Sequence, residues 1–389
     1  MARKTALVHD WLVGLGGGEK VLEAMYGLYP SPLYVLLKDA GYIQNSFWKS
    51  VDVCPSFLQK IPRIEKIYRQ CLPMFPKAIE RFDLSPFDLI LSSSHAAAKN
   101  VRTHEEQLHI CYCNTPMRYA WDLKEQYLRN MTGAKRWLAE CLLRSMRKWD
   151  YAGSFGVDHF IANSQYIGQR IQNAYGRPST VIYPPVDIHP FQNREKRGGF
   201  YLTVSRLVPY KKVDLIVKTF QKFPSKHLVV IGDGPERDKI QELAGKNVEF
   251  LGTLAGEAVQ SFLARARAFI FAAEEDFGIA PVEAQAAGTP VIAFGKGGAL
   301  ETVKEGVSGL FFSEQTQESL CAAIEQFEKE ESAFDAKQIR AHALQFSRER
   351  FDLEYQLFVE TKWEKFYANP DSCRRQRQSA LAPLAQPSP

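Results

Sequence analysis

Short runs of β-branched and apolar residues alternate with segments of helical period along most of this chain, and partway through the alternation breaks and restarts. Strands joined through helices run parallel and are buried on both faces, so the pattern calls for parallel sheets flanked by helices. In the first half the predicted strands are Thr5–His9, Leu33–Leu37, Phe87–Ser92, Leu108–Cys113, His159–Ala162 and Thr180–Tyr183, with helices over Glu19–Tyr29, Ala134–Trp149 and Gln165–Ala174. The stretch Tyr183-Pro184-Pro185-Val186-Asp187 interrupts the pattern, and residues 184–198 read as an interdomain linker. Strands Phe200–Val204, His227–Ile231, Val248–Leu251, Ala268–Phe271 and Pro290–Ala293 follow, with helices near 212–223, 235–245, 256–266 and 281–287. Three amphipathic helices close the chain, near 316–329, 335–346 and 349–367.

This is an α/β chain of two doubly wound domains, which suits its 389 residues. The expected division is 1–187, then 188–348, then a helix over 349–370, and finally a basic, Pro/Ala-rich tail over 371–389 that is expected to be disordered. Two such domains predict a ligand cleft between them, at the carboxyl ends of both strand sets.

No apolar run reaches the length of a membrane span, and MARKTALVHDWL enters a strand with no cleavage-type region, so the expectation is a soluble, cytoplasmic chain. Seven scattered cysteines form no disulfide framework, and Cys111 and Cys113 lack the partners of a zinc site. Charge is uneven. Residues 1–187 carry 23 Lys and Arg against 17 Asp and Glu, a net +6, whereas residues 188–389 carry 26 against 27. The excess lies in 56–84 and 129–149, where basic residues sit beside aromatic and aliphatic ones. Two readings fit these stretches: core-covering helices with solvated basic faces, or attachment to an anionic membrane surface. No nucleic-acid motif accompanies the charge.

Three loops carry candidate chemistry. The first is His9-Asp10-Trp11-Leu12-Val13-Gly14-Leu15-Gly16-Gly17-Gly18-Glu19-Lys20, with three glycines before a helix that let backbone N–H groups approach a phosphate or a sugar. Its spacing is neither the dinucleotide-binding GxGxxG nor a P-loop, which weighs against a nicotinamide-dependent oxidoreductase. In the second, Arg206 and Lys211 follow a predicted strand, where two cations can clamp a diphosphate. The third is Glu275-Asp276-Phe277-Gly278-Ile279-Ala280-Pro281-Val282-Glu283, in which two glutamates flank a helix start. An anion on the exposed N–H groups there would have hydroxyl acceptors on both sides, as a sugar–diphosphate–ribose ligand requires.

On these loops, together with Gly232-Asp233-Gly234-Pro235 and Gly297-Gly298-Ala299-Leu300-Glu301, the chain resembles the retaining glycosyltransferases of family 4 over about residues 4–367. Ser92–Ala96 and the run Tyr112–Asp122 are similar to mannosyltransferases of bacterial O-antigen and capsule assembly. The resemblance implies a GT-B fold of two facing Rossmann-like domains, with the closing helix crossing back to the first. Arg206 and Lys211 would stabilise the leaving nucleoside diphosphate, so that no metal is required. Glu283 would hold the ribose and Glu275 the transferred sugar. The backbone of Phe277, Gly278 and Ile279 would meet the sugar or the phosphates, and Gly17, Gly18 and Glu19 would approach from the first domain. Where the family typically has a histidine, this chain has Asn114, which cannot titrate. A natural variant that tolerates the amide, an engineered substitution and a lineage without activity all fit. His95 could take a polar role near the acceptor.

The function so implied is transfer of a hexose, foremost mannose from GDP-mannose, to a lipid-linked or surface-polysaccharide acceptor glycan, at the cytoplasmic membrane's inner face. The alternatives are a UDP-hexose-dependent transferase of the same fold and a catalytically silent subunit of a polysaccharide assembly complex.

Overall fold

A computed structural model of the protein describes residues 3–122, 124–129, 131–188 and 198–368. The core of the expected linker, 189–197, and the whole of the expected tail, 371–389, lie outside the described residues. Among the described residues the chain forms two compact units: one runs to Tyr183 and resumes from Asp352 to Ala368, and the other is Pro184–Phe351. They are called unit 1 and unit 2 below.

Unit 1 is built on a parallel seven-stranded sheet: β1 (Thr5–Leu12), β2 (Leu33–Lys38), β3 (Val53–Pro55), β4 (Leu89–Ser94), β5 (Leu108–Cys113), β6 (His159–Ala162) and β7 (Ser179–Val181). The strand order is β3-β2-β1-β4-β5-β6-β7. Every residue of β4 and β5 is buried, as central strands covered on both faces must be. One apolar cluster combines Ala6, Val8 and Ile90 with Leu58, Ile64, Tyr68, Phe75 and Ile79; another combines Cys111, Cys113 and Phe160 with Ile167, Ile171 and Tyr175 of helix Gln165–Tyr175.

Residues 57–79 do not form the continuous amphipathic helix that their apolar spacing suggests. They break into short helical turns at Phe57–Lys60, Ile64–Ile67, Tyr68–Met74 and Phe75–Ile79. Pro62, Pro73 and Pro76 withhold backbone donors, and Arg63 takes a left-handed conformation with φ of 56°. Their apolar side chains nonetheless enter the core and leave Lys60, Arg63 and Lys66 exposed.

Helix Gly133–Gly153 is continuous, but its buried positions are Leu143, Met146 and Asp150. Trp137 and Leu138, whose spacing with Cys141, Leu142, Ser145 and Trp149 predicts one apolar stripe, are 63% and 66% exposed. The buried stripe is displaced from the predicted one, and the helix's first turns present apolar side chains to solvent.

From Asp352 onward, the last helix, Arg348–Ala368, belongs to unit 1. The Arg3 guanidinium grips Glu360 through two nitrogens at 2.7 and 2.9 Å, and the Tyr29 hydroxyl donates to the same carboxylate at 2.9 Å. Tyr355 is fully buried against the rings of Tyr29 and Tyr112.

Unit 2 repeats the topology with six parallel strands: β8 (Phe200–Val204), β9 (His227–Ile231), β10 (Val248–Gly252), β11 (Ala268–Phe271), β12 (Val291–Phe294) and β13 (Gly309–Phe312), in the order β10-β9-β8-β11-β12-β13. One core joins Tyr201, Val230, Ile270, Ile292 and Leu310 with Ile216, Phe220, Leu320 and Phe327 from the helices. The unit's two ends are neighbours: the Val186 amide donates to the Phe346 carbonyl at 2.9 Å, and Val186 bridges Ser347. Residues 184–188, expected to be linker, are therefore tied into unit 2.

In each sheet the strand order reverses direction beside one strand pair, β1/β4 in unit 1 and β8/β11 in unit 2. Loops leaving the carboxyl ends of such a pair diverge to opposite faces, and ligands of open α/β sheets bind in the crevice this creates.

Candidate functional site

At the unit 2 switch point, β8 runs into Ser205–Lys212 and β11 into Ala272–Gly278. Arg206 is exposed, and Lys211 closes the turn Pro209–Lys211. The Lys211 ammonium and the Glu275 carboxylate form an ion pair, so residues 64 apart in sequence meet at one point. Backbone packing fixes this loop. Gly232 has φ of 131°, and any side chain there would overlap the Ser205 carbonyl. Leu207 N–H donates to the Asp233 carbonyl at 2.9 Å, which secures the same turn.

The Glu275 loop is held in a similar way. Gly298 N–H donates to the Glu275 carbonyl at 2.8 Å, and a Cβ on Gly298 would run into the backbone of Phe277. The Phe277 side chain is buried against Phe346. Gly278 caps helix Ile279–Ala286, with Ile279 as its first residue, and Glu283 lies in its second turn, half-buried. The predicted residues of this half thus occupy the two loops and one helix start of a single switch point.

At the unit 1 switch point, Gly17 and Gly18 open helix Gly17–Leu28 and Glu19 turns inward, buried. A Cβ on Gly18 would stand 3.6 Å from Asn114 Nδ2 and 3.8 Å from the His9 ring, so these three residues adjoin. Asn114 Nδ2 donates to Ser93 Oγ at 3.0 Å, and its carbonyl accepts from Asn163 Nδ2 at 2.9 Å. His95 begins the loop after β4, with its ring edge-on to Trp11 at 4.5 Å.

Two residues beneath this cluster, read at the head of the glycine loop, were given no role from the sequence. His9 and Asp10 lie in β1, both fully buried. The Asp10 carboxylate accepts the backbone N–H groups of His95, Ala96, Ala97 and Ala98 at 2.5–3.0 Å and faces His95 Nδ1 at 3.1 Å. His9 Nδ1 meets the Ser93 carbonyl at 2.9 Å, while Nε2 looks toward Glu19 at 3.7 Å. The signal was a pair of ionisable residues ending a hydrophobic strand just before the glycine loop, in Ala6-Leu7-Val8-His9-Asp10.

These charges push one another apart. Burial lowers the His9 pKa, but the Glu19 and Asp10 carboxylates outweigh it and hold the imidazole above the ordinary histidine range. Burial drives His95 the other way, below that range; His9 and Arg118 add to the fall, against the pull of Asp10 and Glu19. Burial would raise Asp10 and Glu19, yet the histidines and backbone N–H groups keep both carboxylates below their usual values. Among the described residues no group of three or more His, Cys, Asp or Glu side chains could hold a metal ion, and no helix is long and apolar enough to cross a membrane. Cys54, Cys71, Cys111, Cys113, Cys141 and Cys321 are free thiols.

Comparison with known proteins agrees with this geometry. Residues 186–345, most of unit 2, match the family "Glycosyl transferases group 1". Over 92% of its length the chain superimposes on all of Anabaena HepE in complex with UDP, with a TM-score of 0.68 and 18% identity. It covers sucrose-phosphate synthase from Thermosynechococcus elongatus equally fully, with a TM-score of 0.69 and 18% identity. The fold is GT-B.

In sequence the chain resembles bacterial mannosyltransferases. It is 34% identical over 178 residues to a GDP-mannose-dependent monoacylated alpha-(1-6)-phosphatidylinositol monomannoside mannosyltransferase of Corynebacterium glutamicum, covering 38% of this chain and 47% of that one. It is 30% identical over 200 residues to a related mannosyltransferase of Mycobacterium tuberculosis, covering 43% and 52% respectively. The chain spans about half the length of these two curated relatives.

Proposed function

We propose that the chain transfers a hexose, foremost mannose from GDP-mannose, to a hydroxyl of a lipid-linked or surface-polysaccharide acceptor glycan, with retention of anomeric configuration and without a metal ion. The observation that carries this reading is the Lys211–Glu275 ion pair at the unit 2 switch point, beside Arg206 and the helix start at Gly278. A nucleoside diphosphate brings charge that competes with Glu275 for the Lys211 ammonium. As the phosphates take over Lys211 and Arg206, the Glu275 carboxylate is released to accept sugar hydroxyls, and Glu283 is placed to do the same for the ribose. Fixed cations aimed at the departing diphosphate supply the electrostatic stabilisation that dominates such reactions. The GDP-mannose-dependent relatives support the choice of base and sugar.

The acceptor side of the proposal rests on unit 1. Exposed Trp137 and Leu138 share helix Gly133–Gly153 with exposed Lys135, Arg144, Arg147 and Lys148, a combination suited to the inner face of an anionic cytoplasmic membrane. The basic residues of 56–84 would add to the attraction.

Calorimetric titration with GDP and with UDP in the presence of EDTA tests the donor site. Micromolar GDP binding with weaker UDP binding is expected. The neighbours solved with UDP and with UDP-glucose favour a second reading, a UDP-hexose donor, which preferential UDP binding would establish. Binding of neither nucleotide would overturn the clamp. Flotation with phosphatidylglycerol vesicles, against phosphatidylcholine vesicles, tests the surface; equal recovery would remove the membrane from the proposal.

A further inference from the structure

A separate cluster of charge lies on the flank of unit 1, away from its switch point. Helix Gly133–Gly153 leads to the amino end of β6, and helix Gln165–Tyr175 leaves its carboxyl end and returns, so the last turns of both lie toward the amino ends of the strands. Between those turns is a cavity of about 440 Å³, lined by Arg144, Arg147, Lys148 and Tyr151 from the first helix, Asn173 from the second, and Trp121. Its aromatic wall is fixed from behind. Trp121 Nε1 donates to the Asp150 carboxylate at 2.8 Å, the Tyr175 hydroxyl donates to it at 2.7 Å, and buried Lys99 pairs with it at 2.8 Å. The Arg147 guanidinium lies over the Trp121 ring, 4.2 Å from its centre. Seated there, it keeps the N–H groups in its own plane for an acceptor.

The cavity's cations have no acid of their own. Among the described residues no carboxylate pairs with Arg144, Arg147 or Lys148, and the acids of the surrounding segments are engaged elsewhere: Asp150 with Lys99, Asp122 with Arg170, Glu125 and Glu140 with Arg136. Three positive charges around one cavity select an anion, and a phosphate has enough oxygens to meet all three. The same helix indicates what that phosphate is attached to. Trp137, Arg144, Lys148 and Tyr151 follow at spacings of seven, four and three residues, which sets them in one line along the helix. Exposed Trp137 stands about 10 Å before Arg144 on that line. A free phosphate leaves its ring unused, whereas a lipid with its phosphate in the cavity lays its apolar part against Trp137 and Leu138.

We propose that this cavity holds the headgroup phosphate of an anionic lipid. The inference rests on the membrane contact proposed above and replaces general attraction to a charged surface with a discrete site. Arg144, Arg147 and Lys148 bind the phosphate oxygens, and Trp121 and Tyr151 pack against the carbon atoms of the headgroup.

The test titrates the full chain in a calorimeter with dihexanoylphosphatidylglycerol, kept below its micelle concentration so that no surface is present. Glycerol phosphate and inorganic phosphate are titrated beside it. Saturable binding of the short lipid, tighter than that of either soluble phosphate, is expected. Arg144→Gln, Arg147→Gln and Lys148→Gln combined should weaken it more than about tenfold, as the loss of charge-assisted hydrogen bonds to a phosphate requires. Arg144→Gln with Lys148→Gln leaves Arg147 on the Trp121 ring and replaces the triple variant if that one has a lowered thermal midpoint. A control variant, Lys60→Gln, Lys66→Gln and Lys135→Gln combined, removes the same charge from exposed positions outside the cavity. It should reduce flotation with phosphatidylglycerol vesicles and leave the affinity for the short lipid unchanged. No binding of the short lipid, or equal binding by the cavity and control variants, would overturn the site, while flotation of the parent chain still decides the membrane contact by itself. Glycerol phosphate or inorganic phosphate binding as tightly as the lipid would overturn the lipid assignment and make the ligand a soluble phosphate.

Discussion

At the unit 2 switch point Arg206 and Lys211 are carried on loops whose shape is set by glycine-to-backbone packing, and one of the two cations is exposed. At the unit 1 switch point the equivalent space is filled by His9, Asp10 and Glu19, all buried and facing one another. The strand order is the same in both. The difference shows that an open α/β sheet specifies where a site lies and leaves its chemistry to the side chains ending two strands. Unit 2 offers two cations to an anion, with carboxylates beside them. Unit 1 offers a buried network of histidine and carboxylate groups, better suited to hydroxyls.

Breaking the buried network is expected to have the largest effect. Asp10→Ala strands four backbone N–H groups and leaves His9 with one carboxylate fewer; removing a partner from a buried charge pair costs about 3–5 kcal/mol. Urea unfolding would show it, and a loss below about 1 kcal/mol, within the range of an exposed pair, would mean that the network is not structurally important. In unit 2, Arg206→Ala and Lys211→Ala should each weaken nucleoside diphosphate binding by about 1.5–3 kcal/mol, the range for hydrogen bonds to charged groups, with little change in urea stability. Equal damage to stability would erase the contrast between the two sites.

Glu275→Gln sharpens the comparison further. It removes a carboxylate from Lys211, so nucleoside diphosphate binding should be unchanged or tighter while the intact sugar nucleotide binds more weakly; parallel losses for both ligands would refute the competition for Lys211.

The pH dependence separates the sites as well. Asp10 and Glu19 have lowered pKa values in the folded chain, so the stability they contribute is present above their unfolded values and is lost as pH falls below about 4. His9 is raised, so its contribution is full below the ordinary histidine value and disappears as pH rises through its folded one. Unfolding monitored at unit 1 should therefore weaken at both extremes. The smallest effect is expected from Asn114→His, a change in turnover of less than about tenfold, or 1.4 kcal/mol, because the amide already holds a fixed place through its hydrogen bond to Ser93 Oγ; a larger rise would make the amide a lost function.

Much of this was legible in the sequence. Strands Leu108–Cys113, His159–Ala162, Phe200–Val204, His227–Ile231 and Ala268–Phe271 run between the residues predicted, because a continuous apolar run bounded by turn residues admits little else. Val53–Pro55 and Gly309–Phe312 were not anticipated; both are short edge strands, and one ends in proline. The break-up of 57–79 shows three prolines and one left-handed arginine overriding an apolar period. The unit 2 loops announced themselves through glycines and paired charges close together in sequence. Asp10 could not be read in that way, since its partners are backbone groups 85 to 88 residues further on. It stood just past a predicted strand, at the head of the glycine loop, with nothing close in sequence to mark it.

The amide of Val186 donating to the carbonyl of Phe346 also bears on how the chain is made. Unit 2 is contiguous, whereas unit 1 needs residues 352–368 to supply Glu360 and Tyr355. During synthesis, when domains fold as units, the module encoded second can be finished first. The module encoded first must wait, with Tyr29 and Tyr112 lacking the ring of Tyr355, until helix Arg348–Ala368 leaves the ribosome.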